Sequence, residues 1–231
     1  MSDLDIPDPE WAPIAETLPT SFDPDIKPEA EQEHWVNVIQ PALAAIIKPD
    51  LPDESKYRVE DHKVPSDSGG IRVRVVIPAG GAEATYPLVV WIHGGGWVVG
   101  NIDQDDYFTR VLSVELQATI VNVEYRLAPQ NPFPAGLNDC YAAVKWVRPS
   151  PCFLPIFISR LQAASNADRL SVSLQKGFVV GGQSAGANLS AVIAHRALAD
   201  PFFRDKPLTG QHLSVPPTLR YEAYPDKCVY I

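Results

Sequence analysis

Ser184 lies in GFVVGGQSAGANLS, residues 177–190, with Gly182 two places before it and Gly186 two places after. An apolar run leads into the serine and a helix-forming run leads away. A serine on a strand-to-helix turn with small residues on both sides has the pattern of a nucleophile elbow. The turn is too tight for larger neighbours and lifts the hydroxyl above the sheet edge. The start of the following helix favours negative charge beside it. The same letters also spell an ordinary Gly/Ser turn, so the pattern gains meaning only from its partners. A serine hydroxyl is nearly inert at neutral pH; it needs a histidine base, and the base needs a carboxylate to orient it.

HGGGW, residues 93–97, follows a second apolar run. Three glycines after a buried strand let the backbone turn its N–H groups outward with no side chain in the way, as a developing oxyanion requires. Gly95 and Gly96, with the N–H of Ala185 directly after the serine, are the expected oxyanion donors, and His93 and Gly94 the support of that loop. A flexible glycine loop and a phosphate cradle are the competing readings. A cradle wants a following Lys-Ser/Thr or a helix-capping GxGxxG, and neither is present. His93 ends a strand just before the glycines, which suits a brace better than a base. The pattern calls for a small-molecule substrate, no metal and no organic cofactor.

Strands and helices must alternate to hold these residues. PLVVWIH (87–93) and ATIVNVEY (118–125) are continuous apolar runs of the kind buried on both faces of a parallel sheet. IRVRVVI (71–77) alternates like a half-buried strand, with YRVEDHKV (57–64) as its antiparallel neighbour across SDSGG. GFVVGGQ (177–183) and TGQHLSV (209–215) are further strands. Helical spacing appears near 105–117, in AGLNDCYAAVKWV on the face Leu137, Cys140, Tyr141, Val144 and Val147, and after Ser184. The predicted fold is α/β with a mostly parallel sheet flanked by helices. Before it, residues 1–29 read as an extended arm rich in Pro, Asp and Glu, and 30–47 as an amphipathic helix that Pro41 kinks or restarts.

With 231 residues, 45% of them hydrophobic, the chain can bury one sizeable core. Its net charge of −9 disfavours nucleic acid and anionic membrane surfaces as partners. Three irregularly spaced cysteines suit a reducing compartment. The start MSDLDIPDPEWAP is no signal peptide, and the longest suspicious apolar run, CFLPIFI, is too short to span a membrane, so the expected location is the cytoplasm. Oligomeric state is not legible.

WIHGGGWVVGNID, YRLAPQNPFPAGLNDC and GGQSAGANLS, in this order, resemble the hormone-sensitive-lipase-like branch of the α/β hydrolases over residues 57–215. The resemblance implies a partial α/β-hydrolase fold with an N-terminal helical cap. The implied activity is that of a carboxylesterase or lipase-type serine hydrolase acting on short or medium acyl esters. In that family the glycine loop forms the oxyanion hole, and Tyr125 to Pro129 shapes the loop after the fourth strand. Gln130 and Asn131 stand where the family often has Glu-His.

The family's acid and base follow its seventh and eighth strands, and 209–215 matches the sixth. Two more strand-helix units take about 60 residues, so truncation is expected and the proton has no evident acceptor. His195 lies eleven places along a helix from Ser184, about 16 Å away. His212 falls inside the sixth strand, His34 and His62 belong to the cap and first strand, and Asp226 lies in the tail. Segment 148–162, RPSPCFLPIFISRLQ, has no helical period and interrupts the resemblance; it reads as an insertion or a retained intron, and the ending KCVYI departs likewise. The expected organisation is an arm and partial cap at 1–50 and an incomplete hydrolase core at 51–231. The rival readings are a noncatalytic small-molecule binder resembling gibberellin receptors and an amidase or deacetylase on the same machinery.

Overall fold

The computed structural model describes residues 26–67, 69–81, 83–147 and 166–218. Most of the expected arm, the segment 148–162 and the tail with Asp226 and KCVYI lie outside these residues. Helices α1 (Pro28–His34) and α2 (Gln40–Ile47) are joined by one wide turn, Trp35–Ile39, closed by a bond from the Gln40 N–H to the Trp35 carbonyl. Pro41 accounts for it: proline has no N–H for the carbonyl of Asn37 and its ring crowds that oxygen, so the chain widens and restarts. The apolar spacing of this segment does not bury a face. Val38 is 51% and Ile46 71% exposed, and neither helix contains a buried residue.

The core is a six-stranded sheet of β1 (Tyr57–Val64), β2 (Ile71–Pro78), β3 (Leu88–Ile92), β4 (Thr119–Val123), β5 (Phe178–Gln183) and β6 (Gly210–Ser214). Its order is β1-β2-β4-β3-β5-β6; β1, β2 and β4 pair antiparallel, and β4, β3, β5 and β6 pair parallel. Successive side chains of a strand point to opposite faces, and both faces are covered here. Val76, Trp91 and Ile120 form one apolar cluster against Phe108 and Leu112 of α3 (Asp106–Leu116). Val75, Val90, Ile92 and Val121 join the other, with α4 (Ala135–Trp146) and α6 (Ala185–Ala199). Double burial is why β3 and β4 are unbroken apolar runs. A short helix, α5 (Asn166–Arg169), precedes β5.

The order of strands fixes where a ligand can enter. From β3 the chain crosses by α3 to β4 on one side, then by α4 to β5 on the other side of β3. The direction of winding reverses there, so the loops after β3 and β5 leave a crevice at the carboxyl ends of adjacent strands. Those two loops carry HGGGW and Ser184.

Candidate functional site

Ser184 occupies the single residue between β5 and α6, at φ 51° and ψ −119°. A side chain in that region is strained, and the surroundings must hold it there. They do so through the backbone: the Ser184 N–H donates to the Ser214 carbonyl at 2.8 Å, and the Asn188 N–H to the Ser184 carbonyl at 3.0 Å. The glycines either side are forced by contact. A Cβ on Gly182 would lie 2.3 Å from the Ile92 carbonyl oxygen, and one on Gly186 only 2.0 Å from the same atom. The end of β3 therefore runs directly beneath the serine turn, and no side chain fits between them.

The glycine loop leaves β3 at this contact. A Cβ on Gly94 would sit 3.5 Å from the Ser184 Cβ, which places the loop at the serine's side. Gly95 turns at φ 114°, and its carbonyl accepts the N–H groups of Val98 at 3.0 Å and Val99 at 2.9 Å. Gly96 follows at φ 59° with open space beside it, and Trp97, at φ 64°, is a non-glycine in the same left-handed region. The Trp97 carbonyl is held by the Ala128 N–H at 2.9 Å. Ala185 opens α6 and is buried. Ser184, Gly94 to Gly96 and the start of α6 are thus brought to one place.

His93 is fully buried beneath the loop. Its ring stacks on Tyr125 with centroids 4.2 Å apart and planes 15° apart, and the Tyr125 hydroxyl donates to the His93 carbonyl at 3.1 Å. Its Nδ1 lies 2.7 Å from the Gly94 carbonyl, while Nε2 has no partner among the described residues. Burial pulls its pKa down to about 4, with the Gly94 contact opposing, so the ring is neutral at physiological pH. Burial likewise holds the Tyr125 hydroxyl well above its ordinary range. The loop after β4 is pinned by an ion pair: Asp139, on α4, accepts from Arg126 Nε at 2.7 Å, from its terminal nitrogen at 2.8 Å and from its backbone N–H at 3.0 Å.

The other histidines stand elsewhere. His62 lies on β1 beside Trp146 and Glu60, three strands from β5's nearest neighbour. His34 ends α1, His195 lies near the end of α6, and His212 pairs with Gly181 in the β5–β6 ladder and stacks on Trp91. All five histidines of the chain are described, and none hydrogen-bonds the Ser184 hydroxyl. Among the described residues no cluster of His, Cys, Asp or Glu is arranged to hold a metal, and no helix is long and apolar enough to cross a membrane.

The helical segment reaches this site through hydrogen bonds that its sequence pattern does not reveal. Gln32 Nε2 donates to the Val98 carbonyl at 2.7 Å, and Trp35 Nε1 to Gln104 Oε1 at 2.9 Å. Trp91 Nε1 donates to Asp105 Oδ2 at 2.7 Å, and burial raises the pKa of that carboxyl. Hydrogen bonds over such separations leave no periodic trace in a sequence. An apolar cavity of about 460 Å³ opens beside Gly96, lined by Trp97, Tyr125, Phe133, Leu137 and Leu189.

A family profile described as the α/β-hydrolase fold matches residues 89–228. An AB hydrolase superfamily protein of Schizosaccharomyces pombe is 38% identical over 155 residues, 67% of this chain and 39% of that protein. Carboxylesterase NlhH of Mycobacterium tuberculosis is 38% identical over 143 residues, 62% of this chain and 39% of that protein. The crystal structure of vibralactone cyclase superposes with a TM-score of 0.81 at 40% identity, covering 95% of this chain and 60% of that one. The chain therefore spans about two fifths of the length of these curated relatives and three fifths of the solved structure.

Proposed function

The chain belongs to the α/β-hydrolase family, on its hormone-sensitive-lipase-like branch, and from that premise we propose a carboxylic ester hydrolase site in which Ser184 is the nucleophile. The observation that carries this reading is the strained Ser184 backbone, at φ 51° and ψ −119°, held against the glycine loop. Strain of this kind persists where surroundings over-determine it, and it aims the hydroxyl out of the sheet edge. Ser184 Oγ attacks the ester carbonyl, and the N–H groups of Gly95, Gly96 and Ala185 receive the oxyanion. His93, neutral and stacked on Tyr125, braces the loop and takes no proton. Residues 28–50 serve as part of a cap. The apolar cavity beside Gly96 suits a short or medium acyl group, and the relative named a carboxylesterase supports ester chemistry. An amide or N-acetyl substrate fits the same machinery.

Among the described residues no general base accompanies Ser184. Each of the five histidines is committed elsewhere or too distant, so the 231-residue chain turns over poorly: an activated ester acylates Ser184 slowly, and no base activates water to release it. The second reading is a noncatalytic binder of small molecules; the strained Ser184 turn and the intact glycine loop favour the enzyme over it. Purified chain incubated with p-nitrophenyl butyrate is expected to release at most one p-nitrophenol per chain, all of it lost in Ser184→Ala. Release that survives Ser184→Ala sinks the serine mechanism, and repeated turnover that vanishes in it sinks the inactive-chain reading. Tight ligand binding without any acylation decides for the binder.

A further inference from the structure

We propose that Gln32 is a positioning residue for the glycine loop, coupling the seating of α1 on the core to the placement of Gly95 and Gly96; this deepens the esterase-type reading and rests on it. Gln32 is half-buried on α1 and reaches 66 residues along the chain to the Val98 carbonyl, at 2.7 Å. The Ala128 carbonyl lies 3.4 Å from the same nitrogen, and Gln130 Oε1 3.2 Å from it. Gln130 returns the contact, Nε2 to Gln32 Oε1, at 3.2 Å. One carboxamide thus stands between the return leg of the glycine loop and the loop after β4.

The chemistry of the pocket around that nitrogen explains the residue type. Val98 and Ala128 present only carbonyl oxygens, and a carboxamide nitrogen has two N–H donors while a carboxylate has none. The mechanical link is short. The N–H groups of Val98 and Val99 both close on the Gly95 carbonyl, and the space where a Gly95 side chain would begin is filled by the Val99 carbonyl at 2.1 Å. Val98 cannot move without carrying Gly95. The leading end of the loop is fixed independently by β3 and by Tyr125 on the His93 carbonyl. The return leg is held by the Ala128 N–H on the Trp97 carbonyl and by Gln32 of α1, which a second tether, Trp35 to Gln104, holds in register one helical turn further along.

The test compares the full chain with Gln32→Glu, which keeps the shape and removes the donors, with Gln32→Met, and with Gln32→Lys, which restores a donor. Amide hydrogen exchange across residues 94–99 should quicken about tenfold in the Glu and Met variants, with β5 and α6 unchanged and Lys recovering protection. The acylation rate at saturating p-nitrophenyl butyrate should fall about tenfold with ester affinity held, less than the 10² to 10³ cost of deleting an oxyanion donor. Unchanged loop exchange in both Glu and Met variants overturns the proposal, as does acylation at the wild-type rate from a loosened loop. Exchange reports on Gln32 whether or not Ser184 reacts. Acylation that persists in Ser184→Ala counts against the serine mechanism alone.

Discussion

The junction of β3 with β5 and the outer flank of β6 with α6 are neighbours in one sheet, built under opposite constraints. At the junction backbone meets backbone: the Ile92 carbonyl oxygen stands where Gly182 or Gly186 would carry a Cβ. On the flank side chains end in solvent. β6 has no buried residue and is last in the strand order, Leu198 is 86% exposed, and an open groove of about 630 Å³ runs between α6 and β6. Where close approach leaves room for one residue type, the amino acid is determined by geometry. Where nothing among the described residues packs, the amino acid answers to whatever covers it, and a single chain does not reveal that.

The contrast is broken most directly by giving each region one methyl group. Gly186→Ala adds helix propensity of about 1 kcal/mol, but its Cβ would stand 2.0 Å from the Ile92 carbonyl oxygen and 2.5 Å from that of His93. Backbone on both sides cannot yield as a flexible side chain does, so the net loss is expected to be about 3 kcal/mol or more. Gly210→Ala on β6 meets nothing nearer than Val179 Cγ2 at 3.6 Å, and should be neutral or stabilising by up to about 1 kcal/mol. Urea denaturation of the two variants checks both. Similar midpoints would mean that the junction is looser than its contacts imply.

His93 offers a second difference, readable in pH. Its folded pKa of about 4 lies below the ordinary 6.5, so the unfolded chain binds the extra proton between those values. Stability from keeping the ring neutral is therefore full above pH 6.5 and is lost as pH falls towards 4, by about 3 kcal/mol over the window. His93→Gln removes the titration and should flatten this part of the curve, whatever it costs at pH 7. Equal slopes in wild type and His93→Gln would show that the ring is hydrated.

How far the sequence could be read follows the same division. The continuous apolar runs of β3 and β4 were legible because burial on two faces dictates them; the half-buried alternation expected of β2 holds only at its start, with Arg72 exposed beside buried Ile71 and Val73, since Val75, Val76 and Ile77 are buried on both faces. The glycines around Ser184 were legible because contact excludes every other residue. Asp139 lies off the helical face Leu137, Cys140, Tyr141, Val144 and Val147 and is nonetheless buried, where it pairs with Arg126; a buried charge whose partner comes from another loop leaves no apolar periodicity to read. Gln32 reads as an unremarkable position in a cap helix and Trp35 only as one of its apolar residues, so neither long-range hydrogen bond is legible, for the same reason. The spacing at 30–47 reads as an amphipathic helix, and among the described residues its apolar stripe stays open: periodicity shows that a stripe exists, and burial needs a second surface.

The smallest expected effect lies on the flank and sharpens the comparison from the other side. Leu198→Ser removes a large apolar side chain that is 86% exposed, so it gives up little burial on folding. Folding stability should change by no more than about 0.5 kcal/mol, as at ordinary surface positions. Association is a different matter, because Leu198 borders the groove that Pro201, Pro207 and Leu208 also line, and contiguous exposed apolar surface promotes contact between molecules. Light scattering at rising concentration should therefore show less self-association in Leu198→Ser, while the urea midpoint stays in place. A loss of folding stability of more than about 1 kcal/mol would mean that Leu198 is covered in solution. The flank would then obey the packing rules of the junction, and the division drawn between the two regions would fail.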